Sequence, residues 1–189
     1  MTLASRILKA PYMFRDNAIV DIQGTTGETA ANTFTATAID VSDYVDLNEN
    51  NVIGIKRVFF YVTLPEDDPS DVGIANRTWS QMTLSEVTET AIKGYGDENT
   101  IATILSELQQ HEVGTMANAG QFTKNSECKL VREWEDQNLF IVIRDTMSIA
   151  IESTNATETA SGEYVIEFYP LKVSESDALQ LLKQAFSAL

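Results

Sequence analysis

Histidine and cysteine are almost missing from this chain: His111 and Cys128 are the single examples among 189 residues. One histidine leaves little room for a triad or the usual general base, and His111 reads as a capping or solvent-exposed residue. A zinc site of His and Cys is excluded by count unless subunits share ligands, and a multi-histidine metal site of the cupin type is excluded in the same way. One cysteine cannot make an intrachain disulfide framework. The nine glycines are too few and wrongly placed for a phosphate-cradling loop. No run of eighteen apolar residues is present, so no span of a bilayer is expected. Positive charge is also scarce: 13 Lys and Arg stand against 28 Asp and Glu, a net −15. Such a surface repels phosphate and anionic lipid over most of its area.

What charge of the other sign exists is unevenly placed. Met1–Arg15 contains Arg6, Lys9 and Arg15 and no acid. It is a small basic arm on an acidic body, without the apolar run of a signal peptide and cut short by Pro11. The acids gather at Glu66, Asp67, Asp68 and Asp71, and in the turn Gly94-Tyr95-Gly96-Asp97-Glu98-Asn99. A glycosidase pair or a calcium site is open by count, but neither cluster has the spacing of an EF-hand loop, and both read as solvated loops. The sequons at Asn76-Arg77-Thr78 and Asn155-Ala156-Thr157 read as chance matches. Trp79, Trp134 and the run Phe59-Phe60-Tyr61 are candidates for a sugar-binding surface, because aromatic faces stack on pyranose rings; as strand residues they read first as core. No catalytic, cofactor-binding or metal residue is assigned, and no enzyme activity is expected.

The 43% hydrophobic content suits one domain with a real core. Ala18–Ile22 is a short strand candidate, followed by a Gly- and Thr-rich stretch, Gln23–Asn32, that reads as a loop. Thr33–Asp40 alternates, with Phe34, Ala36, Ala38 and Ile39 expected inside. Val52–Leu64 is the strongest β segment; its centre, Val58–Val62, is apolar on both faces and suits a central strand covered on two sides. Pro65–Asp71 ends it in an exposed loop. Thr78–Val87 alternates again, with Met82, Leu84 and Val87 on one face and Ala91–Lys93 as its continuation. Gly114–Glu127 reads as a long loop, and Lys129–Trp134 as a strand. Asn138–Ile143, Met147–Glu152 and Glu163–Pro170 complete the series. Phe60, Val62, Ile141, Ile143, Val165 and Phe168 are marked for burial, and alternation places Phe60 with Val62, and Ile141 with Ile143, on common faces.

Two helices are expected. Asp97–His111 spaces Ile101, Ile104, Leu105 and Leu108 along one helical face, although Thr100–Ile104 fits a β segment as well. Ser174 opens the second helix as N-cap, with Asp177 in the first turn and an apolar stripe of Leu179, Leu182, Phe186 and Leu189, widened by Leu181 and Ala185. The resulting architecture is mainly β: an antiparallel, jelly-roll-like sandwich with one short inserted helix and a C-terminal helix. Its divisions are an arm at 1–16, a sandwich at 17–173 and a helix at 174–189.

The arm Met1–Arg15, the strand series from Ala18 through Tyr169 and the helix Ser174–Leu189 together resemble the viral single-jelly-roll capsid and virion structural proteins. The match is architectural and carries no diagnostic motif. It implies a non-enzymatic, self-assembling subunit that forms or decorates a virion shell. Copies of the chain and other virion proteins are then the partners, and nucleic acid is touched at most through the arm, since three cations are few for packaging a genome. The virion is the expected location, or otherwise a soluble state. A carbohydrate- or protein-binding β-sandwich module is the alternative.

Overall fold

A computed structural model describes residues 13–15, 18–29, 33–63, 77–88, 90–92, 97, 99–109, 127–154 and 160–187. Ten strands and one helix follow in order: β1 (Met13–Phe14), β2 (Val20–Thr29), β3 (Phe34–Asp40), β4 (Asn51–Thr63), β5 (Arg77–Ser85), β6 (Thr100–Gln109), β7 (Glu127–Glu133), β8 (Phe140–Val142), β9 (Thr146–Thr154), β10 (Ala160–Lys172) and α1 (Glu175–Ser187). The first sheet runs β2-β10-β4-β7, with the short β1 beside β10 and β8 beside β4. The second runs β3-β9-β5-β6. Every pairing is antiparallel. Apart from the β5–β6 pair and β8, each long strand is followed by one in the opposite sheet, which is the jelly-roll order.

Period-two alternation places the core between the sheets. Val58, Phe60 and Val62 of β4 and Ile166 and Phe168 of β10 are buried, as are Met82 and Leu84 of β5 and Ile149 and Ile151 of β9. Tyr44 closes one end, its ring edge-on to Phe168 at 5.0 Å. Of the residues marked for burial, Phe60, Val62, Ile141, Ile143 and Phe168 are inside. Val165 is half-buried and belongs to the outer face. β10 runs Tyr164, Ile166, Phe168 inward without a break, so Val165 has the opposite parity.

The expected helix at Asp97–His111 is a strand. Thr100–Gln109 pairs along β5 from Ser85 to Arg77. A helix of this length is marginal without tertiary contacts, whereas β5 offers a full ladder of backbone partners. Thr103 adds side-chain bonds across the pair: its hydroxyl lies 2.9 Å from that of Thr83, donates to the Met82 carbonyl at 3.1 Å and accepts from Gln81 Nε2 at 3.1 Å. A bulge leaves Ile101 with no opposite residue on β5, so Ile101 and Ala102 are both buried while Leu105 is 53% exposed. His111 lies outside the described residues.

Other expectations shift in detail. Gln23–Thr29 continue β2 and are not loop; the threonines tolerate a strand, and Gly24 leaves the space that the Tyr164 ring fills, since a Cβ there would come within 2.6 Å of its hydroxyl. In β3, Ile39 is buried while Ala38 is exposed. Ala91 and Ile92 do not extend β5, which ends at Ser85. The strand reading at Lys129–Trp134 is met by β7, and α1 starts where Ser174 caps it: Ser174 Oγ accepts the Asp177 amide at 3.2 Å, and its hydroxyl donates to the Asp177 carboxylate. The buried side of α1 is Ala178 and Leu181, with Leu182 half-buried and Leu179 53% exposed, so the stripe is rotated from the expected one. The Phe186 and Leu189 side chains and the loops Pro65–Asp71 and Gly114–Ser126 lie outside the description.

Candidate functional site

The bulge in β4 divides the first sheet into two environments. Arg57 stands opposite Glu167 and Ile55 opposite Phe168, leaving Lys56 as the extra residue. On the Asn51 side, Asn51 through Ile55 are all buried. Gly54 lies tight against Leu171 and Leu139: a Cβ there would fall 2.6 Å from one and 2.8 Å from the other. On the Thr63 side only one face is covered. Phe59 and Tyr61 point away from the core, half-buried, beside Phe60, which has no exposed area.

Register assembles a surface around them. Phe59, Val165 and Gln23 lie in one row across β4, β10 and β2, and Tyr61, Glu163 and Thr25 in the next. Together with Gly24, Phe60 and Tyr164, these six line a groove of about 290 Å³. Phe60 and Tyr164 beneath it are buried, whereas Gln23, Thr25 and Glu163 are exposed, so the groove opens on the outer face of the sheet. Burial holds the Tyr164 phenol above its ordinary pKa and keeps it neutral.

The row beside the groove is charged. Asp21, Glu167, Arg57 and Glu133 stand across β2, β10, β4 and β7. Arg57 Nε donates to Glu133 Oε1 and Nη1 to Glu167 Oε2, both at 3.0 Å. The bond to Glu133 first, then the charge of Glu167, raise the pKa of the guanidinium. Lys56 reaches Asp136 at 2.8 Å and Glu133 at 4.0 Å. Among the described residues, Glu163, Asp21, Glu167 and Glu133 thus outnumber Arg57 and Lys56 here, and the net charge beside the groove is negative.

The other candidates separate. Trp134 is 6% exposed, tilted against Phe140 at 5.8 Å with the Arg132 guanidinium 4.9 Å from its ring centre, so it is core. Trp79 is half-buried on β5, in the other sheet. Of the aromatic run only Phe59 and Tyr61 face outward. Asp97 Oδ1 accepts the Asn99 amide at 3.0 Å in a turn; the rest of the 94–98 cluster and Glu66, Asp67, Asp68 and Asp71 lie outside the described residues. Among the described residues no three His, Cys, Asp or Glu gather to hold a metal, and no helix is long and apolar enough to cross a membrane. Gln23, Thr25, Glu163 and Val165 were not singled out in the sequence as surface residues. The inward parity of Tyr164, Ile166 and Phe168 was the available signal for Glu163 and Val165.

The described end of the arm is tied to the same sheet. Met13 and Phe14 pair with Lys172 and Leu171 at the far end of β10. The Arg15 amide donates to the Pro170 carbonyl at 2.9 Å, and its guanidinium to the Tyr44 carbonyl at 3.4 Å.

No protein-family model and no curated protein matches the chain. Among solved structures it is similar to VP1 of Trichodysplasia spinulosa-associated polyomavirus in complex with sialylated precision glycooligomers, at 11% identity and a TM-score of 0.45, covering 88% of this chain and 98% of that one. The same VP1 in complex with GM1 oligosaccharide gives 10% identity and 0.45, with coverage of 88% and 98%. Apo chimpanzee polyomavirus VP1 gives 7% identity and 0.44, covering 89% and 100%. At these values the likeness is one of general shape.

Proposed function

We propose that this chain is a non-enzymatic, self-assembling structural subunit that forms or decorates a virion shell. The observation that carries the reading is a jelly-roll sandwich to which a basic, acid-free arm is tied at its described end, where Met13 and Phe14 pair with β10. Double-sheet jelly rolls serve as capsid domains, and also as lectins and cupins, so strand order gives an analogy of fold only. The arm narrows it. Met1–Arg15 holds three of the 13 cations and no acid, leaving ten cations against 28 acids for the rest of the chain. Copies of such a chain repel through their bodies and attract arm to body, which suits a contact repeated between identical subunits. With ten cations against 28 acids outside the arm, the arm is the segment whose net charge suits nucleic acid.

Light scattering coupled to size exclusion, with negative-stain microscopy, tests this. A homo-oligomer or closed particle that grows with concentration and shrinks with added salt is expected. A monomer at every concentration overturns the proposal and moves the chain to the sugar- or protein-binding modules.

A further inference from the structure

We infer that the groove on the outer face of the first sheet is the seat of the Arg6-Ile7-Leu8-Lys9 segment from a second copy of this chain. The inference rests on the self-assembly reading and names the surface that such assembly uses. Phe59, Tyr61 and Val165 give the groove an apolar floor, open to solvent, and Gln23, Thr25 and Glu163 a polar border. The charged row beside it adds Asp21, Glu167 and Glu133 against Arg57, with Lys56 reaching Glu133 from the bulge. An occupant should therefore carry apolar side chains flanked by cations. Arg6-Ile7-Leu8-Lys9 has that make-up, within an arm that has no acid to meet Glu163.

Chain direction decides whose arm it is. β1 is antiparallel to β10, with Met13 opposite Lys172 and Phe14 opposite Leu171. The chain therefore enters β1 from beyond Lys172, at the end of β10 remote from the groove. Val165 and Glu163 lie seven and nine residues back along β10, about 23 and 30 Å at about 3.3 Å per residue. Ile7 is six residues from Met13 and reaches at most about 22 Å fully extended, and Leu8 at most about 18 Å. Even if the chain reverses at once, a subunit's own Leu8 stops about 5 Å short of Val165 and its Ile7 about 8 Å short of Glu163, so the pair cannot lie along its own groove. The groove of a neighbouring copy carries no such limit. Passed head to tail, such a contact builds a ring where the rotation closes and an open filament where it does not; exchanged between two copies, it builds a dimer.

Two full-length variants separate the halves of the contact. Ile7→Asp with Leu8→Asp spoils the arm and leaves the groove; Glu163→Lys with Val165→Arg spoils the groove and leaves the arm. By sedimentation velocity each alone should lose the association of the parent, and the equimolar mixture should regain a complex, since one partner supplies an arm and the other a groove. A labelled Met1–Arg15 peptide should bind the arm variant. Adding the exposed, fold-neutral Glu163→Lys to that variant should weaken binding by about tenfold, and raised salt should weaken it further. A mixture that sediments as its two parents overturns the inference, as does a peptide that binds the Glu163→Lys chain unchanged. If the groove variant assembles like the parent, the groove is wrong while the shell reading stands. If the parent is monomeric yet the peptide needs Glu163, the shell reading falls and the groove remains a peptide acceptor.

Discussion

The two ends of β4 share a strand but not an environment. From Asn51 to Ile55 every residue is buried, so this end is interior on both faces. From Val58 to Val62 burial alternates, and the outward residues Phe59 and Tyr61 are left for solvent or a partner. The switch falls at Lys56, the bulged residue, whose ammonium is held by Asp136 and Glu133 at the sheet margin. An apolar run therefore means different things on the two sides of one irregularity. At the Asn51 end it means packing, with Leu139 and Leu171 tight over Gly54. At the Thr63 end the alternate residues Phe59 and Tyr61 are half-buried on the outer face, beside the acid of Glu163.

Substitutions can sharpen or erase that contrast, and the largest effect is expected at adjacent residues. Phe60→Ala empties a fully buried site and should cost about 3–5 kcal/mol in chemical denaturation. Phe59→Ala next to it should cost about 1 kcal/mol or less, and should instead lower association. Equal losses of stability from the two would mean that the outer face is as covered as the inner one. The C-terminal helix gives a second pair. Its start is fixed at the closed end by the Val173 amide on the Asn50 carbonyl at 3.1 Å. Leu181 is buried and Leu179 is 53% exposed. Leu181→Ala should cost about 2–5 kcal/mol and Leu179→Ala stay within about 0.5 kcal/mol, read from thermal and urea unfolding. The reverse order would restore the stripe expected from sequence and unseat the helix assignment.

The smallest effect concerns Tyr164, beneath the groove. Burial raises its pKa, so the folded state resists ionisation that the unfolded chain undergoes near the ordinary value of about 10. Its contribution is whole below that value and is lost as pH rises through the folded pKa. Urea midpoints measured from pH 9 upward should fall more steeply for the parent than for Tyr164→Phe. Parallel curves would mean that water reaches the phenol and the floor of the groove is open.

Much of the fold was legible in the chain. Alternation found the inward residues of β4 and β5, although it misplaced Ala38 in β3, and the burial marked at Val165 in β10 was not met. Ser174 with Asp177 found the start of α1, because burial on one side and amide capping are local demands that side chains state directly. Phe59 and Tyr61 were visible as aromatics, but their outward turn beside Glu163 was not. That depends on β2, β10 and β4 lying in register, and residues 23, 59 and 163 are distant in the sequence.

Local side-chain chemistry determined that the chain is mainly β, that one face of most strands seeks a core, and that a basic arm precedes an acidic body. Tertiary structure decided the segments whose local signals were balanced. Thr100–Gln109 carried both a helical spacing and a β-rich start, and the open edge of β5, with Thr83 and Met82 ready to bond Thr103, settled it as strand. Gln23–Thr29 joined β2 because β10 supplied its backbone partners and Tyr164 the bulk that Gly24 lacks. The bulge at Lys56 set which of Phe59 and Phe60 faces water. A backbone amide is satisfied by whichever carbonyl stands opposite, and that partner is chosen by the assembled sheet, beyond the reach of the segment's own residues.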